Sequence, residues 1–456
     1  MGAADCVNGT QRPLKMGGNG RFRLSRLDCC MTIGTTTQGY DFGLSADDRS
    51  RHVHIIGQTG VGKSGLLENM IASDLAAGRG VAVLDPHGSL AEAALRLVPP
   101  HRFHQLRYIN PADERPVPFN PLWGVPLRER PRRTDAIVSA FAGVWHWSID
   151  SAPLALPLLR HAIRTALDLP EPTFLDVLAI VNGAAKRWKA TDPMTRAYWD
   201  RLEAEDSKRH KDAAASVAAR LDTLLASPDV RATLCQPPTF DIPTTLREGH
   251  ILIANLNRGA IGEISSHLIG AFIVSEIVQA AFSGATRKWD NASQQFHQRS
   301  FYVFADEFQS FASDTFATAL SEIRKSGVSL TLAHQFVQQV PKEIMSAVLG
   351  NTGTTISFRV GAEDAALLAS HVGGLVGDDL PPNILKELPN YHAVARVLRG
   401  GSPEAVRLKT LPPPAPLHDR VEQLLRNART RFGRDRALVE QKFSARKAAP
   451  RRARKW

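Results

Sequence analysis

Apolar residues along this chain follow two rhythms, and the change between them predicts the architecture. From residue 52 onward, short unbroken apolar runs alternate with stretches of helical spacing. Residues 52–56 predict a β-branched strand that ends in a glycine-rich loop. Residues 63–77 then place Leu66, Leu67, Met70, Ile71 and Leu75 at helical intervals. A continuous apolar run at 80–84 (GVAVL) has strand length and stops at Asp85-Pro86, where proline restricts the residue before it. A third short strand is predicted at 106–109. Strands apolar at every position need helices over both faces, so this βαβ rhythm predicts a parallel sheet in an α/β fold.

The rhythm breaks at about residue 129. Up to residue 240 the pattern predicts helices alone, at 134–147, 156–167, 174–181, 195–210 and 212–226, with Thr173 and Asp176 spaced as a capping box. Strands return at 250–254, 301–305, 329–333, 355–360 and 392–398, separated by helices that include 264–281 and 315–325. The proline run 412–416 closes the core, and a further amphipathic helix is predicted near 418–426. The expected organisation is an extension over 1–49, rich in Gly and Thr, an α/β domain made of 50–128 and 241–411, an all-α domain inserted at 129–240, and a tail over 412–456.

Charge alters this picture at one end only. The net charge is +11, but residues 426–456 hold twelve Lys/Arg against Asp435 and Glu440. The remainder of the chain is nearly neutral. A basic tail suits a polyanionic partner, nucleic acid such as DNA or an acidic membrane face, or else is a solvated terminus. Cys6, Cys29, Cys30 and Cys235 make no CxxC pair, so no disulfide framework or zinc site is implied, and a reducing cytoplasm fits. No transmembrane segment is predicted: the most apolar stretch, 267–282, is interrupted by Glu276 and is too short to cross a bilayer.

The chemistry is concentrated at strand ends. Residues 57–64 (GQTGVGKS) match G-x-x-x-x-G-K-[ST], preceded by a strand and followed by a helix. Gly57, Thr59, Gly60, Val61 and Gly62 would curl so that backbone N–H groups face a phosphate at the helix N-terminus. Lys63 would reach the β and γ oxygens of ATP, and Ser64 would bind Mg²⁺. The apolar run 301–305 leads into Asp306-Glu307, the Walker B pattern: Asp306 for the Mg²⁺ shell, Glu307 as general base for water. Two adjacent acids suit ATP hydrolysis rather than nucleotide binding alone. After the strand at 329–333, Gln335 could report on the γ-phosphate or its water, or His334 could do so instead. Arg324 and Lys325 either satisfy a helix C-terminus or supply an arginine finger. Asp85 either faces the nucleotide or only starts a turn. Arg258 and Arg359 read as structural.

These motifs together resemble the HerA/FtsK superfamily of DNA-pumping ATPases, and within it the TraG/TraD-type conjugative coupling proteins of type IV secretion systems. The resemblance is carried by RHVHIIGQTGVGKS (51–64), GVAVLDPHGSL (80–90), FNPL (119–122), ILIANLNRGAIGE (251–263), FYVFADEFQSF (301–311), LSEIRKSGVSLTLAHQ (320–335) and GNTGTTISFRVGAEDA (350–365). It implies a RecA-like fold, a ring, most commonly a hexamer, around DNA, Arg324 as a finger acting on the neighbouring subunit, and Gln335 as sensor. Coupling proteins of this type carry N-terminal membrane helices, and none is evident here. That departure leaves two readings: a cytoplasmic chain peripheral to the inner membrane through a membrane or relaxosome protein partner, or a soluble HerA-like relative that processes DNA in the cytoplasm. A DNA-moving ATPase and an ATP-gated adaptor that recruits proteins are the competing functions. A Glu307→Gln variant separates them, because only the motor needs hydrolysis.

Overall fold

The strands assemble around one long sheet. In the computed structural model, which describes residues 30–183, 190–205, 207–290, 294–312, 314–373, 381–437 and 439–441, the described residues form thirteen strands. They are β1 Cys30–Thr36, β2 Asp41–Ser45, β3 Val53–Ile56, β4 Gly80–Asp85, β5 Leu106–Ile109, β6 Ile251–Asn255, β7 Arg287–Asp290, β8 Gln295–Gln298, β9 Phe301–Ala305, β10 Val328–His334, β11 Thr354–Ser357, β12 His392–Arg399 and β13 Ser402–Thr410. Eleven of them pair in the order β2-β1-β13-β12-β11-β3-β10-β9-β4-β6-β5, while β7 and β8 form a separate hairpin. From β11 to β5 every pairing is parallel. From β11 to β2 every pairing is antiparallel. The fold is RecA-like α/β.

Alternation along each parallel strand feeds two different cores, because successive side chains point to opposite faces. Ala82, Leu84, Leu252, Ala254, Phe301 and Val303 join one cluster, and Val81, Val83, Ile251, Ile253, Tyr302 and Phe304 the other. The first face is covered by the helical stretch: Arg130–Trp145, Ala155–Leu167, Phe174–Val181, Pro193–Glu205, Lys208–Ala226, Pro228–Leu234 and Ile242–Glu248, with Glu263–Phe282 against the sheet. The second is covered by Lys63–Ala76, Ser89–Leu97 and Val421–Phe432. Thr173 caps Phe174–Val181 with Asp176 in the predicted box: the Thr173 N–H donates to Asp176 Oδ2 at 2.9 Å.

Several expectations are revised. The stretch 30–45 is no loose extension. Met31, Ile33, Phe42 and Leu44 are buried in alternation with exposed neighbours, which makes β1 and β2 part of the sheet. The next helix, Ala46–Ser50, fixes them through a fully buried ion pair, Arg49 to Asp74 at 2.6 Å, with the guanidinium 3.9 Å from the Tyr302 ring centre. The predicted helix 195–210 ends at Glu205, and Ser207 begins a new one by accepting from the His210 N–H. Helix Glu263–Phe282 has 20 residues and is long and apolar enough to cross a membrane, contrary to the shorter reading. It is packed in the core instead, and its one interrupting acid, Glu276, is ion-paired with Arg133. Strand β13 escaped prediction because most of its positions are exposed or half-buried.

The basic segment is also tied down as far as residue 441. Helix Val421–Phe432 buries Leu424, Leu425, Ala428 and Phe432. Arg429 pairs with Asp113 at 2.9 Å, Arg436 with Asp229 at 2.8 Å and Arg231 with Glu440 at 2.7 Å. The seven Lys/Arg from Lys442 to Lys455 lie outside the described residues.

Candidate active site

The carboxyl ends of β3, β4, β9 and β10 meet at one point, and each delivers polar residues there. β3 sits between β11 and β10 and leads into the loop Gly57–Ser64. Close packing requires its glycines. A Cβ on Gly57 would stand 2.6 Å from Phe358 Cβ. Gly60 and Gly62 take left-handed φ of 79° and 118°, which side-chain-bearing residues rarely adopt. Gly62 is the N-cap of helix Lys63–Ala76 and offers no side chain to its first N–H groups, which leaves them for a ligand. Lys63 Nζ donates to Gly57 O at 2.5 Å and Gln58 O at 3.0 Å, so the loop holds its own lysine curled inward. Burial lowers the Lys63 pKa, and Glu307 and Asp306 oppose that. Ser64 is exposed at the first turn.

Across the intervening strand β10, β9 carries Asp306 and Glu307, both buried. Burial, then the nearby Asp85, then Glu307 push the Asp306 carboxyl up to about 7, against the pull of Lys63. Glu307 has a left-handed backbone, φ 46° and ψ 52°, a rare state for a residue with a side chain. That geometry turns its carboxylate toward Gln335. The Gln335 Nε2 donates to Glu307 Oε1, and its Oε1 accepts from Thr59 Oγ1 at 2.9 Å. Gln309 Nε2 donates to Glu307 Oε2 at 2.7 Å. One amide therefore joins the phosphate-loop threonine to the acidic pair.

Three other residues with open readings are also placed. His334 is buried at the end of β10, and its ring nitrogens lie against groups other than Glu307 and Thr59. Its Nδ1 lies 3.1 Å from Phe336 O and so carries the proton, and its Nε2 lies 2.8 Å from His54 Nε2. Asp85 does begin a turn, accepting from the His87 and Ala91 N–H groups at 2.8 and 2.9 Å, and it also bears on Asp306. Arg324 is exposed and precedes β10, at the opposite edge of the sheet from the loop of its own chain.

Residues that the sequence reading passed over also surround the loop. His87 Nε2 is 4.0 Å from Glu307 Oε1. Its only sequence signal was the Asp-Pro-His-Gly turn after β4. Arg359, read as structural, reaches Gln58 Oε1 at 3.3 Å and Asn390 Oδ1 at 2.9 Å. The Tyr391 N–H donates to Val61 O at 2.7 Å. Sequence position gives no hint of that contact, because β12 is more than 300 residues downstream of the loop.

Comparison with known proteins decides the family. The family model described as "Helicase HerA, central domain" matches residues 31–277, more than half of the chain. The chain belongs to the HerA family. No curated protein sequence matches it significantly. Among solved structures, this HerA-family chain is similar to the bacterial conjugative coupling protein TrwBΔN70 in its unbound form, at 16% identity and TM-score 0.60, over 83% of this chain and 88% of that one. The plasmid coupling protein TrwB in complex with ADP and Mg²⁺ superposes with TM-score 0.62 at 16% identity, over 85% and 91%. VirB4 of Thermoanaerobacter pseudethanolicus gives 0.57 at 12% identity, over 85% and 97%. These likenesses establish the fold.

Proposed function

We propose that this HerA-family chain hydrolyses ATP with Mg²⁺ and uses the energy to move DNA, as part of a conjugation or type IV secretion apparatus. The observation that carries the reading is the Gln335 amide joining Thr59 of the phosphate loop to Glu307. A glycine loop alone would suit binding. A loop wired to a buried carboxylate suits turnover.

The residues fit a magnesium nucleotide. Ser64 Oγ and the Asp306 carboxylate offer hard oxygen donors, the kind magnesium takes. Asp306 is buried beside two other acids, and a cation there would relieve that repulsion. Magnesium held there would spread the charge of the phosphates. Lys63, released from Gly57 O and Gln58 O, would turn to the phosphate oxygens. Glu307 would accept a proton from the attacking water, and Gln335 would hold its carboxylate in place and sense the loop through Thr59. Asp306 and Ser64 would serve as metal ligands, not as bases.

Arg324 belongs to the same proposal in another way. It lies at the edge of the sheet opposite its own loop, so a role as arginine finger requires a neighbouring subunit. A ring, by analogy a hexamer, would supply one. The neighbours in the same fold are conjugative and plasmid coupling proteins by name, and this supports DNA as cargo and a membrane or relaxosome protein as docking partner.

Hydrolysis rates with single-stranded DNA, duplex DNA and no DNA, with the mass of the ATP-bound particle, test the proposal. Stimulation by DNA and a ring-sized particle are expected; rates flat across all three conditions would reject DNA movement. For the finger, Arg324→Ala and Glu307→Gln chains are mixed. Recovered activity in mixed particles, where neither variant is active alone, is expected if Arg324 acts across the interface.

A further inference from the structure

The face of the phosphate loop turned away from Glu307 carries a side chain that the proposed chemistry does not use. Tyr391 sits just ahead of β12, two strands from β3 on the side opposite β10. It is a large aromatic residue, yet 49% exposed. Its backbone is left-handed, φ 65°, an outlier for an aromatic residue. Two clamps hold it there. The Tyr391 N–H donates to Val61 O at 2.7 Å, and Tyr391 O accepts from the Thr410 N–H at 2.8 Å and from Thr410 Oγ1 at 3.2 Å. The ring lies on the loop: a Cβ on Gly62 would come 2.9 Å from Tyr391 Cδ1. Strain held by the surrounding structure, with the side chain left in solvent, is the mark of a side chain placed for a ligand rather than for packing.

A second group with a flat face contacts the same loop. The Arg359 guanidinium is fixed by Gln58 Oε1 at 3.3 Å, Leu388 O at 3.1 Å and Asn390 Oδ1 at 2.9 Å. One wall of the loop is thus an exposed aromatic ring and an anchored guanidinium, and the other is the acidic pair. A nucleoside triphosphate gripped by its phosphates at Gly57–Ser64 has a base to place, and the exposed Tyr391 ring against Gly62 offers it a π face.

We propose that Tyr391 is the platform on which the nucleobase stacks, and that the site selects purine nucleotides by ring face without reading base edges. This rests on the nucleotide reading above. A platform of this kind binds adenine and guanine alike and holds pyrimidines less well, because stacking grows with ring area and is tolerant of base identity.

The test uses the full chain with magnesium and measures affinity for ATP, GTP, UTP and inorganic tripolyphosphate. Wild type is expected to bind ATP and GTP within a few-fold of each other and UTP more weakly. Tyr391→Ala is expected to weaken ATP and GTP together by about tenfold or more, the scale of one lost base–aromatic stack, with tripolyphosphate unchanged. Tyr391→Phe keeps the ring and should bind as wild type does. Equal losses for ATP and tripolyphosphate in Tyr391→Ala would mean that the ring only props the loop, and would overturn the proposal. So would unchanged ATP affinity in Tyr391→Ala, failure of Tyr391→Phe to bind, or a hundredfold preference for one purine. Wild type that binds neither ATP nor tripolyphosphate would instead reject the nucleotide reading itself, and this inference with it.

Discussion

The two edges of the parallel sheet are made by the same strands, yet they treat charge in opposite ways. At the amino edge, exposed Arg324 apart, the charged side chains Arg102 and Arg107 are absorbed into the structure. Arg102 donates to Leu75 O, Arg79 O and Gly249 O at 2.9–3.0 Å, tying the C-terminal ends of helices Lys63–Ala76 and Ile242–Glu248 together. Arg107 donates to Gln105 O and lies over the Phe432 ring at 4.8 Å. At the carboxyl edge, Asp85, Asp306 and Glu307 stand together with Lys63 as the near cation, and Asp306 is pushed up to about 7. Glu307 is held in a left-handed backbone besides. The amino edge spends its polar groups on backbone carbonyls and gains stability. The carboxyl edge keeps like charges close, an arrangement that costs stability and is characteristic of sites where chemistry is done.

The sharpest way to break this contrast is at Glu307. Glu307→Gln keeps the shape and removes both the proposed base and one of the like charges. Hydrolysis is expected to fall by roughly 10²- to 10⁴-fold, the usual worth of a positioned acid–base group. Nucleotide affinity should stay within a few-fold, and thermal stability without nucleotide should not fall. Steady-state rates alongside nucleotide titration and a melting curve check all three. A rate loss below tenfold would remove Glu307 from the role of base.

The amino edge answers to a different probe, acid. His52 is fully buried; its Nε2 donates to Leu320 O and its Nδ1 accepts from the Leu330 N–H, both at 3.1 Å. Those roles fix a neutral ring. Burial, with a smaller contribution from Arg324, lowers its pKa to about 4, and the bond to Leu320 O works against that. The unfolded chain therefore takes up this proton first as pH falls. Stability from His52 is complete above about pH 6.5 and is lost as pH drops from there toward 4. At pH 5 the loss is about 2 kcal/mol, at about 1.4 kcal/mol per pH unit over 1.5 units. Urea unfolding of wild type and His52→Ala between pH 5 and 8 measures it. The variant is less stable at pH 8 but should show a shallower decline below pH 6.5; parallel curves would show that His52 is not the titrating group.

How much of this contrast could be read from sequence follows from how local each part is. The loop Gly57–Ser64 is contiguous, and its spacing is its geometry, so it could be read directly. Asp306-Glu307 could be read because a wholly apolar strand precedes them. Gln335 was found from its place after a strand, but its bonds to Thr59 and Glu307 depend on β10 lying between β3 and β9. Strand order in a parallel sheet is set by long crossovers, which local pattern does not encode. His87, Arg359 and Tyr391 were missed for the same reason: tertiary pairing brings them to the loop. Arg359 was hidden further by an expected strand running to residue 360, whereas β11 ends at Ser357. β1 and β2 were masked by their Gly and Thr content, with only Met31, Ile33, Phe42 and Leu44 to mark the alternation.

Gln335 sharpens the contrast from within the carboxyl edge. Gln335→Ala deletes the amide that joins Thr59 to Glu307 and leaves the loop, the metal ligands and the base in place. A drop in kcat of about tenfold is expected, since one hydrogen bond to a charged group is worth about 1.5 kcal/mol. KM for ATP should change little. Single-turnover hydrolysis separates this from slower product release. A rise in KM with kcat intact would make Gln335 a binding residue and not a link to the base.

The smallest effect tests whether charge away from the site serves stability alone. Arg429 on helix Val421–Phe432 makes paired contacts with Asp113, from Nε at 2.9 Å and Nη2 at 3.0 Å, and the Asp113 side chain is 5% exposed. The pairing raises the Arg429 pKa, chiefly through its hydrogen bonds to Asp113. Arg429→Met keeps much of the aliphatic stem and removes the fork. The arginine itself is partly open to solvent, so water screens part of the interaction, and a loss of about 1 kcal/mol is expected. Urea unfolding gives that number, and hydrolysis without DNA should be unchanged. Because Arg429 counts among the basic residues of the C-terminal segment, DNA affinity is the informative third measurement. An arginine already committed to Asp113 should contribute little there. A large loss of DNA binding in Arg429→Met would mean that the ion pair opens on contact with DNA, and that the division between charge used for stability and charge used for function does not hold in this helix.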